Sequence, residues 1–547
     1  MSPVFSIFAE MCGDVKQHFE DSLEKCLRPD ADRFVFPEAE PVHARLWTRY
    51  EPPQVCVSFA CFGKPPYAMA SPEPSRDTGA ADMPEHGDVS SLADALPEPA
   101  LPAYPMDALA GASSTPSPPA SPMDAIAEAL IAALKASPEF YTKFIEAVQP
   151  WHNEEMRFGT YCSGTDLCVP AHKAFARALQ RATGICIRFT HLFAVEIDQK
   201  KQAFIKHFNK DLKYLFSDIQ EFGTPSALDV LSGGRVHMAK IAAEMLDFLV
   251  GGFSCKDASS LKDRAKHAKW VHDADAKGST RETGLGMLDM VAALRPLWGM
   301  AENVAGLLHK LKDEHGEQQE PHIVPLTRAF ADIGYSTAHV LTCARYYGIP
   351  VRRKRVYIPQ TTHEVQQSEF QKNFESALEL LRLPTSVVQL SALLSPKTKR
   401  PRTLSPADAA RMRTLSADES KAHLFADGAD VYFAMQNSAS WGMELGVGLV
   451  PCLRPNSQIY SNRLGGYLRG REHMALQGVV PGPDFPDYDG LGLSDSFERD
   501  LSGNSFNVGQ YLANFIAAIA AGTSATDGRA HARTHGRTHG RTDTNHR

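Results

Sequence analysis

The sequence predicts an α/β fold built on a doubly wound, mostly parallel sheet. Short apolar runs recur between residues 157 and 358 and alternate with stretches of helical periodicity. Several runs are apolar at consecutive positions, which is typical of strands covered by helices on both faces. Strand, helix and strand in repetition is the pattern of an open parallel sheet. The predicted strands are RFGTYC at 157–162, HLFAVEI at 191–197, YLFSDI at 214–219, LDFLVGGF at 246–253, LWGMAENV at 297–304, AHVLTC at 338–343 and RVYI at 355–358.

Two segments of different composition precede this sheet. Residues 1–66 contain apolar runs but match no module that we can assign. Residues 67–122 are dominated by Pro, Ala, Ser and acidic residues, and such a stretch cannot bury enough apolar surface to offset its ordering entropy. We therefore expect a disordered linker there. Apolar residues at four-residue spacing then predict a helical lead-in, and we place it with the sheet in one domain at 123–358.

The region after the sheet is irregular before helical periodicity returns. Residues 359–460 break the alternation and include the basic loop SPKTKRPR at 395–402. This loop is compatible with phosphate contacts, with a nuclear-import signal or with an ordinary solvated loop. Residues 461–520 are predicted to be helical and to complete the sheet domain. Residues 521–547, with their Arg-Thr-His-Gly repeat, are predicted to be a disordered tail.

Composition narrows the class of protein. The chain has 547 residues and a net charge of −7, so any nucleic-acid site must gather its positive charge in one cleft. Its ten cysteines include no C-x-x-C pair, which argues against a structural zinc site and against a disulfide framework. No apolar run reaches the roughly 18 residues that a membrane span needs. We expect a soluble intracellular protein without a metal.

Three strand ends carry residues suited to a nucleoside. The strand at 157–162 runs into Ser163 and Gly164, and a glycine at such a turn lets a ligand approach the backbone. Glu196 ends the second strand and suits a ribose diol, while Asp218 ends the third and can accept from an adenine amino group. Ligands of open α/β sheets bind beyond the carboxyl ends of the strands, so the three together indicate a nucleoside-binding edge. Singly, each is better explained by a plain turn or a solvated carboxylate.

A thiol follows the fourth strand. The segment DFLVGGFSCKDAS at 247–259 ends an apolar strand in Gly251 and Gly252 and then brings Cys255 to the same edge of the sheet. Free cysteines are most often buried and inert, but the glycine pair and the polar neighbours favour a polar loop here. Lys256 beside it would favour the thiolate, which is the reactive form. Cys255 is therefore a candidate nucleophile.

Two further segments carry charges at strand positions. Glu302, in AENV after the next strand, would be costly inside a core without partners, with a surface carboxylate as the alternative. In GIPVRRKRVYI at 348–358, Arg353 and Arg355 alternate, so we expect both to project from one face of a strand. The alternative is an exposed edge strand whose charges prevent unwanted pairing.

Taken in order, these motifs resemble those of the cytosine-C5 DNA methyltransferase family over about residues 157–512. That family has a Gly-bearing first loop, acidic residues after strands two and three, a Gly-Phe-Pro-Cys-Gln loop, a Glu-Asn-Val strand end and a Gln-x-Arg-x-Arg segment. Near its C-terminus it has an Arg-Glu…Leu-Gln-Gly stretch and a Gly-Asn motif. The corresponding residues here are GGFSCK, ENV, VRRKR, REHMALQG at 471–478 and SGNSFNV at 502–508. Only the resemblance gives the last two a role.

The resemblance implies a Rossmann-like methyltransferase sheet with a target-recognition domain in the irregular region. It implies transfer of a methyl group from S-adenosylmethionine to C5 of a cytosine flipped out of duplex DNA, with no metal. Cys255 would attack C6, and Glu302 would contact N3 and the exocyclic amine. Arg353 would hold the carbonyl oxygen of the base, with Arg355 beside it. The residues expected to bind the cofactor are Ser163, Gly164, Glu196, Asp218, Ile219, Asn504 and Ser505.

Several positions depart from the family pattern. Ser254 stands in place of Pro, Lys256 and Val351 each stand in place of Gln, and the first loop has one glycine. These departures put the rate in question more than the reaction class. Two alternatives stay open: a tRNA cytosine-C5 methyltransferase of the same fold, and a catalytically degenerate homologue that binds nucleic acid. A hydride-transferring dehydrogenase is disfavoured, since no G-x-G-x-x-G follows the first strand.

The resemblance also bears on the surroundings of the site. The basic residues between Lys262 and Lys269, which follow the candidate nucleophile, would close over the base, with a solvated helix as the alternative. A DNA substrate and the basic loop at 395–402 imply a nuclear location in a eukaryote and a cytoplasmic one otherwise. The sequence names no protein partner.

Overall fold

A computed structural model describes most of the chain from Ser121 to Gly522. The described residues are 121–256, 258, 279–312, 317–363, 365–383, 387–394, 404–417, 430–435, 444–455, 457–482, 485 and 488–522. The N-terminal segment, most of the predicted linker, the basic residues between Lys262 and Lys269, the loop at 395–402 and the predicted tail lie outside these residues. The predictions for them stay predictions.

The described residues form sixteen strands. They are β1 (Glu155–Tyr161), β2 (Arg188–Val195), β3 (Tyr214–Phe216), β4 (Ser226–Leu228), β5 (Arg235–His237), β6 (Phe248–Gly252), β7 (Trp298–Asn303), β8 (Leu311–Lys312), β9 (Gln318–Gln319), β10 (Ser336–Thr337), β11 (Val340–Cys343), β12 (Lys354–Thr361), β13 (Val431–Ala434), β14 (Leu445–Val447), β15 (Ile459–Ser461) and β16 (Gly466–Tyr467). Each of the seven strands predicted from the sequence corresponds to one of them, shifted by up to three residues at its ends.

Thirteen α-helices lie between and after these strands in the described ranges. They are α1 (Pro122–Lys135), α2 (Pro138–Val148), α3 (Cys168–Thr183), α4 (Gln199–Phe208), α5 (Met238–Ala242), α6 (Ser279–Leu294), α7 (Ile323–Asp332), α8 (Gln367–Leu380), α9 (Leu390–Leu393), α10 (Pro406–Ser416), α11 (Gly470–Ala475), α12 (Asp495–Asn504) and α13 (Val508–Ala521). The first helix begins inside the stretch predicted as linker, because Ser121 caps it by accepting from Asp124 N. Within this part of the chain, no helix is long and apolar enough to cross a membrane.

The main sheet has the order β10-β12-β7-β6-β1-β2-β3, with β11 also paired to β12. The five strands from β7 to β3 are parallel, and β12 pairs antiparallel with β7, β10 and β11. The chain runs outward from β1 to β3 and then returns to the other side of β1 as β6. This arrangement confirms the predicted doubly wound, mostly parallel sheet. Its switch point lies between β1 and β6, which is where such folds bind ligands.

Helices cover the sheet on both faces, as the consecutive apolar residues of its strands predict. On one face, α13 packs against α1, α2, α3 and α8, and every residue of α13 is buried. On the other face, α6 and α7 contribute Met287, Met290 and Phe330 to a second apolar cluster. With both faces covered, the polar ends of the parallel strands remain the accessible part of the sheet.

A smaller antiparallel sheet follows, in the order β14-β13-β15-β16. Its strands extend to Tyr467, beyond the boundary at 460 that the sequence suggests, and α8 packs on α13 of the main body. Val351 forms a parallel bridge with Val450, which ties the residues just before β12 to the residues just after β14. The small sheet is therefore joined to the main sheet beside β12.

Candidate active site

The loop after β1 meets the end of β2, as the sequence predicts for a nucleoside-binding edge. The backbone N–H of Gly164 donates to Glu196 Oε2 at 2.8 Å, and Asp198 N donates to Oε1 at 3.0 Å. Ser163 N donates to Val195 O at 3.1 Å. Gly164 has a φ of +56°, which a side chain would make unfavourable. Ser163, Gly164 and Glu196 are thus brought together beyond the carboxyl ends of β1 and β2.

The third strand end contributes a carboxylate and a buried side chain. Asp218 is half-buried, and its Oδ1 accepts from Gln220 N at 2.9 Å at the start of a short 3-10 turn. Ile219 is buried in the core cluster beneath α6, so only its backbone is available to a ligand. The charges of Glu196 and Asp218 both act on the Cys162 thiol, whose pKa burial raises to about 12. Both carboxylates are therefore close enough to the same thiol to influence its ionisation.

Ile197 is an exposed apolar residue at this edge that the sequence analysis missed. It directly follows Glu196, and its side chain is 74% exposed although most large apolar residues here are buried. An exposed isoleucine beside a carboxylate that suits a ribose offers an apolar surface to a flat ring. The signal was present in the sequence as an apolar residue immediately after the acidic strand end.

The C-terminal segment reaches the same loop. Ser505 Oγ lies 2.7 Å from Thr165 Oγ1 and donates to Leu501 O at 2.7 Å. Asn504 is exposed, and its side chain donates to Asp500 O at 2.9 Å. A Cβ on Gly164 would lie 3.4 Å from Asn504 O, so the two backbones nearly touch. Asn504 and Ser505 therefore lie beside the loop that contains Ser163 and Gly164. The buried Ser505 hydroxyl links the C-terminal segment to that loop through its hydrogen bond with Thr165.

Cys255 lies three residues beyond β6, next to this edge. A Cβ on Gly251 would come within 2.2 Å of Tyr161 O, so this glycine allows β6 to approach β1 closely. Asn303 Nδ2 donates to Phe253 O at 2.9 Å and to Ser254 O at 3.5 Å, which holds the start of the cysteine loop. This role of Asn303 was not predicted, although it belongs to the AENV segment.

Glu302 and Arg355 form an ion pair beside that loop. Arg355 Nε is 2.9 Å from Glu302 Oε1, and each side chain is 12% exposed. Glu302 lies opposite Gly252 in the β6–β7 register, and a Cβ on Gly252 would be 2.9 Å from Glu302 Oε2. Gly252, the last residue of β6 and three residues before Cys255, therefore leaves room for the Glu302 carboxylate.

Arg353 is arranged differently from the prediction. It lies one residue before β12, so only Arg355 of the two arginines belongs to the strand itself. Its guanidinium is buried and donates to the carbonyls of Leu453 (3.0 Å), Gly503 (3.3 Å) and Ser505 (2.6 Å). Both terminal nitrogens of the guanidinium thus donate hydrogen bonds to backbone carbonyls. Arg353 links the connection between β14 and β15 to the C-terminal segment, and Arg355 is the arginine paired with Glu302.

The electrostatic surroundings keep the Cys255 thiol protonated near neutral pH. Burial raises its pKa, Arg355 and Arg353 lower it, and Glu302 raises it further. Lys256, expected to favour the thiolate, is exposed to solvent. A reaction that begins with the thiolate must therefore remove this proton as the substrate binds. No group of three or more His, Cys, Asp or Glu that could hold a metal occurs in the described ranges.

Comparisons with known proteins match the central part of the chain. Residues 172–422 match the family model for C-5 cytosine-specific DNA methylase. Over 242 residues the chain is 27% identical to the DNA (cytosine-5-)-methyltransferase DMT5 of Cryptococcus neoformans, which covers 44% of this chain and 9% of that protein. It is 36% identical over 115 residues to the Verticillium dahliae DMT5, covering 20% of this chain and 5% of that one. The match thus spans less than a tenth of either relative.

The chain is also similar to smaller proteins and to solved structures. It is 35% identical over 71 residues to the type II methyltransferase M.MthTI of Methanothermobacter thermautotrophicus, covering 13% of this chain and 19% of that protein. The S. pombe Dnmt2 methyltransferase structure is 13% identical, with a TM-score of 0.40, and the match covers 67% of this chain and 98% of that one. A putative DNA modification methyltransferase from an E. coli prophage gives 17% identity and a TM-score of 0.38, covering 66% and 98%.

Proposed function

We propose that this chain, whose residues 172–422 match the family model for C-5 cytosine-specific DNA methylase, transfers a methyl group from S-adenosylmethionine to C5 of cytosine in duplex DNA. The observation that carries the proposal is the convergence of three groups at neighbouring strand ends. The Cys255 loop follows β6, Glu302 ends β7 with its partner Arg355 on β12, and the nucleoside edge follows β1 and β2. A nucleophile and a methyl donor then meet at the switch point.

The residues at the edge fit the proposed co-substrate. Glu196 presents a carboxylate held by two backbone N–H groups, which suits a ribose diol, and Ile197 presents an exposed apolar side chain for an adenine ring. Gly164 lets a ligand approach the loop backbone, and Asp218 can accept from the adenine amino group. When bound, S-adenosylmethionine supplies an electrophilic methyl group and leaves as the neutral thioether.

The proposed chemistry begins with covalent activation of the base. C5 of cytosine is a weak nucleophile, so the Cys255 thiolate first adds to C6 and the electron pair moves into the ring. Glu302 contacts N3 and the exocyclic amine, where charge develops, and Arg355 holds the carboxylate in place. We assign contact with the base's carbonyl oxygen to Arg355 rather than to Arg353, whose terminal nitrogens bond to backbone.

Methyl transfer and release complete the sequence. The enamine-like C5 takes the methyl group as the bond between that methyl group and the donor sulfur breaks. The C5 proton then passes to solvent, and Cys255 leaves C6 as thiolate. The product is 5-methylcytosine. The reacting atoms lie inside the stack of a duplex, so the base must be flipped out, which costs a few kcal/mol. We place the reaction in the nucleus if the organism is a eukaryote.

Tritiated methyl transfer tests this function directly. The purified 547-residue chain is incubated with labelled S-adenosylmethionine and unmethylated duplex DNA, hemimethylated DNA or tRNA. We expect label on DNA that is lost in Cys255→Ala and kept in Cys186→Ala, a half-buried cysteine before β2. Label on tRNA alone would replace the substrate with RNA. Cofactor binding without transfer to any substrate would instead favour a degenerate nucleic-acid-binding homologue.

A further inference from the structure

The loop between β1 and α3 has an uncommon backbone conformation. Cys162, Gly164 and Asp166 have φ angles of 47°, 56° and 51°. Residues other than glycine adopt such values rarely, because the Cβ then crowds the carbonyl oxygen. Two of the three positions carry side chains, so surrounding contacts must hold the loop in shape. Ser163, proposed to bind the co-substrate, lies between these positions.

The carboxyl group of Asp166 supplies such contacts from beneath the loop. Its Oδ1 accepts from Thr160 Oγ1 at 2.7 Å, and its Oδ2 accepts from Asn209 Nδ2 at 2.9 Å. The Thr160 hydroxyl is also 2.7 Å from Ser163 Oγ. Asp166 is therefore connected to Ser163 through one intervening hydroxyl. Because Asp166 is only 2% exposed, it acts on a ligand through the loop and not by direct contact.

This buried carboxylate has no charged partner close by in the described part of the chain. The basic group within 4.0 Å is His191, whose Nδ1 lies 3.9 Å from Asp166 Oδ2. Burial lowers the pKa of His191 to about 3, so its imidazole is neutral near pH 7. Burial also raises the pKa of Asp166 to about 7, against the hydrogen bonds from Thr160, Ser163 and Asn209 and with the help of Glu196.

The other ionisable groups around the loop are thiols and more distant charges. Burial raises the pKa of Cys162 to about 12 and that of Cys168 well above its usual value, so both stay neutral. The charges that act on Cys162, Asp166 or His191 include those of Glu196, Asp218, Lys173 and Lys201. Glu196 is already engaged by the N–H groups of Gly164 and Asp198. Asp166 is thus the member of the network that lacks a compensating charge.

We propose that Asp166 is a positioning residue of the co-substrate loop and that its ionised form is the one that binds S-adenosylmethionine. This inference rests on the function proposed above. S-Adenosylmethionine carries a sulfonium cation, and the ammonium and carboxylate of its amino-acid end offset each other, so the ligand is a net cation. A nearby cation favours the ionised form of a carboxylate. Binding below about pH 7 therefore releases a proton from Asp166, so the affinity rises with pH and levels off above that range.

Isothermal titration of the full-length protein with S-adenosylmethionine, from about pH 5.5 to about pH 8.5, tests the proposal. We expect the wild-type affinity to rise by up to about tenfold per pH unit below pH 7, since one proton is released. Asp166→Asn should remove this dependence. Titration of the ligand's own amino group is common to both proteins and cancels in the ratio of their dissociation constants. An Asp166→Asn protein with the wild-type pH profile overturns the proposal.

A second variant keeps the proposal testable if Asp166→Asn folds poorly. Asn209→Leu removes one donor to the ionised carboxylate, so the midpoint of the pH profile should move to higher pH while the dependence remains. An unchanged midpoint in this variant contradicts the inference. Wild-type binding that does not vary with pH contradicts only the inference, whereas no binding at any pH contradicts the proposed function and the inference with it.

Discussion

Arg355 Nε lies 2.9 Å from Glu302 Oε1, across the antiparallel pairing of β12 with β7. Both side chains are largely buried, so water screens their attraction less than at the surface. The pair fixes the direction of the carboxylate before a base arrives. Such preorganisation is an efficient way to stabilise charge that develops during a reaction, because no reorientation is needed at that moment.

Glu302→Gln should lower kcat by about 10²- to 10³-fold, the usual effect of removing one preorganised electrostatic group. The substitution keeps the shape of the side chain and removes its charge. Single-turnover methyl transfer to duplex DNA measures the effect. The matched control is Glu320→Gln, which breaks an exposed pair with Arg328 and should leave the rate unchanged. Equal rates for both variants would remove Glu302 from the proposed mechanism.

Substitutions around Cys255 should move its pKa in opposite directions. Arg355 lowers the pKa of this thiol and Glu302 raises it. Arg355→Met should therefore raise the pKa and slow alkylation by iodoacetamide at a fixed pH near 8, whereas Glu302→Gln should lower the pKa and speed alkylation. Mass spectrometry of the peptide containing Cys255 follows the reaction in the presence of the other thiols. Shifts of the same sign in both variants would contradict the arrangement of charges described here.

Arg353→Met should destabilise the fold by at least about 2 kcal/mol, because hydrogen bonds to a charged group contribute roughly 1.5–3 kcal/mol each. The change leaves the carbonyls of Leu453, Gly503 and Ser505 without their donor. Urea unfolding measures the loss. Arg352→Met, at the half-buried neighbouring position, is the control and should change stability far less. A stable Arg353→Met protein would mean that water replaces the guanidinium.

The two glycines at the end of β6 should respond differently to alanine. A Cβ at Gly251 would meet the backbone oxygen of Tyr161 at 2.2 Å, so Gly251→Ala should lower the unfolding midpoint. A Cβ at Gly252 would meet a side-chain oxygen of Glu302 at 2.9 Å, which can move aside. Gly252→Ala should therefore keep most of the stability and lose activity. The reverse pattern in thermal unfolding and methyl transfer would refute this distinction.

The sequence predicts those parts of the site that depend on sheet topology. Runs such as that of β6 are apolar at consecutive positions, and the carboxyl ends of parallel strands necessarily meet at one edge. This is why Cys255, Glu302 and Glu196 could be placed at one edge without knowledge of any contact. The same reasoning places Ser163 and Gly164 there.

The role of Arg353 could not be predicted in this way. Alternation along VRRKR suggests one strand, but Val351 bridges to Val450 and β12 begins only at Lys354. The carbonyls that accept from Arg353 lie 100 to 152 positions further along the chain. No local sequence pattern around Arg353 could therefore indicate them. The small sheet was missed for a related reason: its strands have two to four residues, too few for a two-residue period to stand out.

The burial of α13 has a consequence for how the molecule is made. This helix is the last described element of the chain, yet all of its residues are enclosed between α1, α2, α3 and α8. During synthesis the central strands leave the ribosome long before their cover exists, so their apolar face stays open to water and to other chains. We therefore expect the nascent chain to depend on chaperones until residue 521 has emerged, and a message truncated before α13 to yield insoluble product.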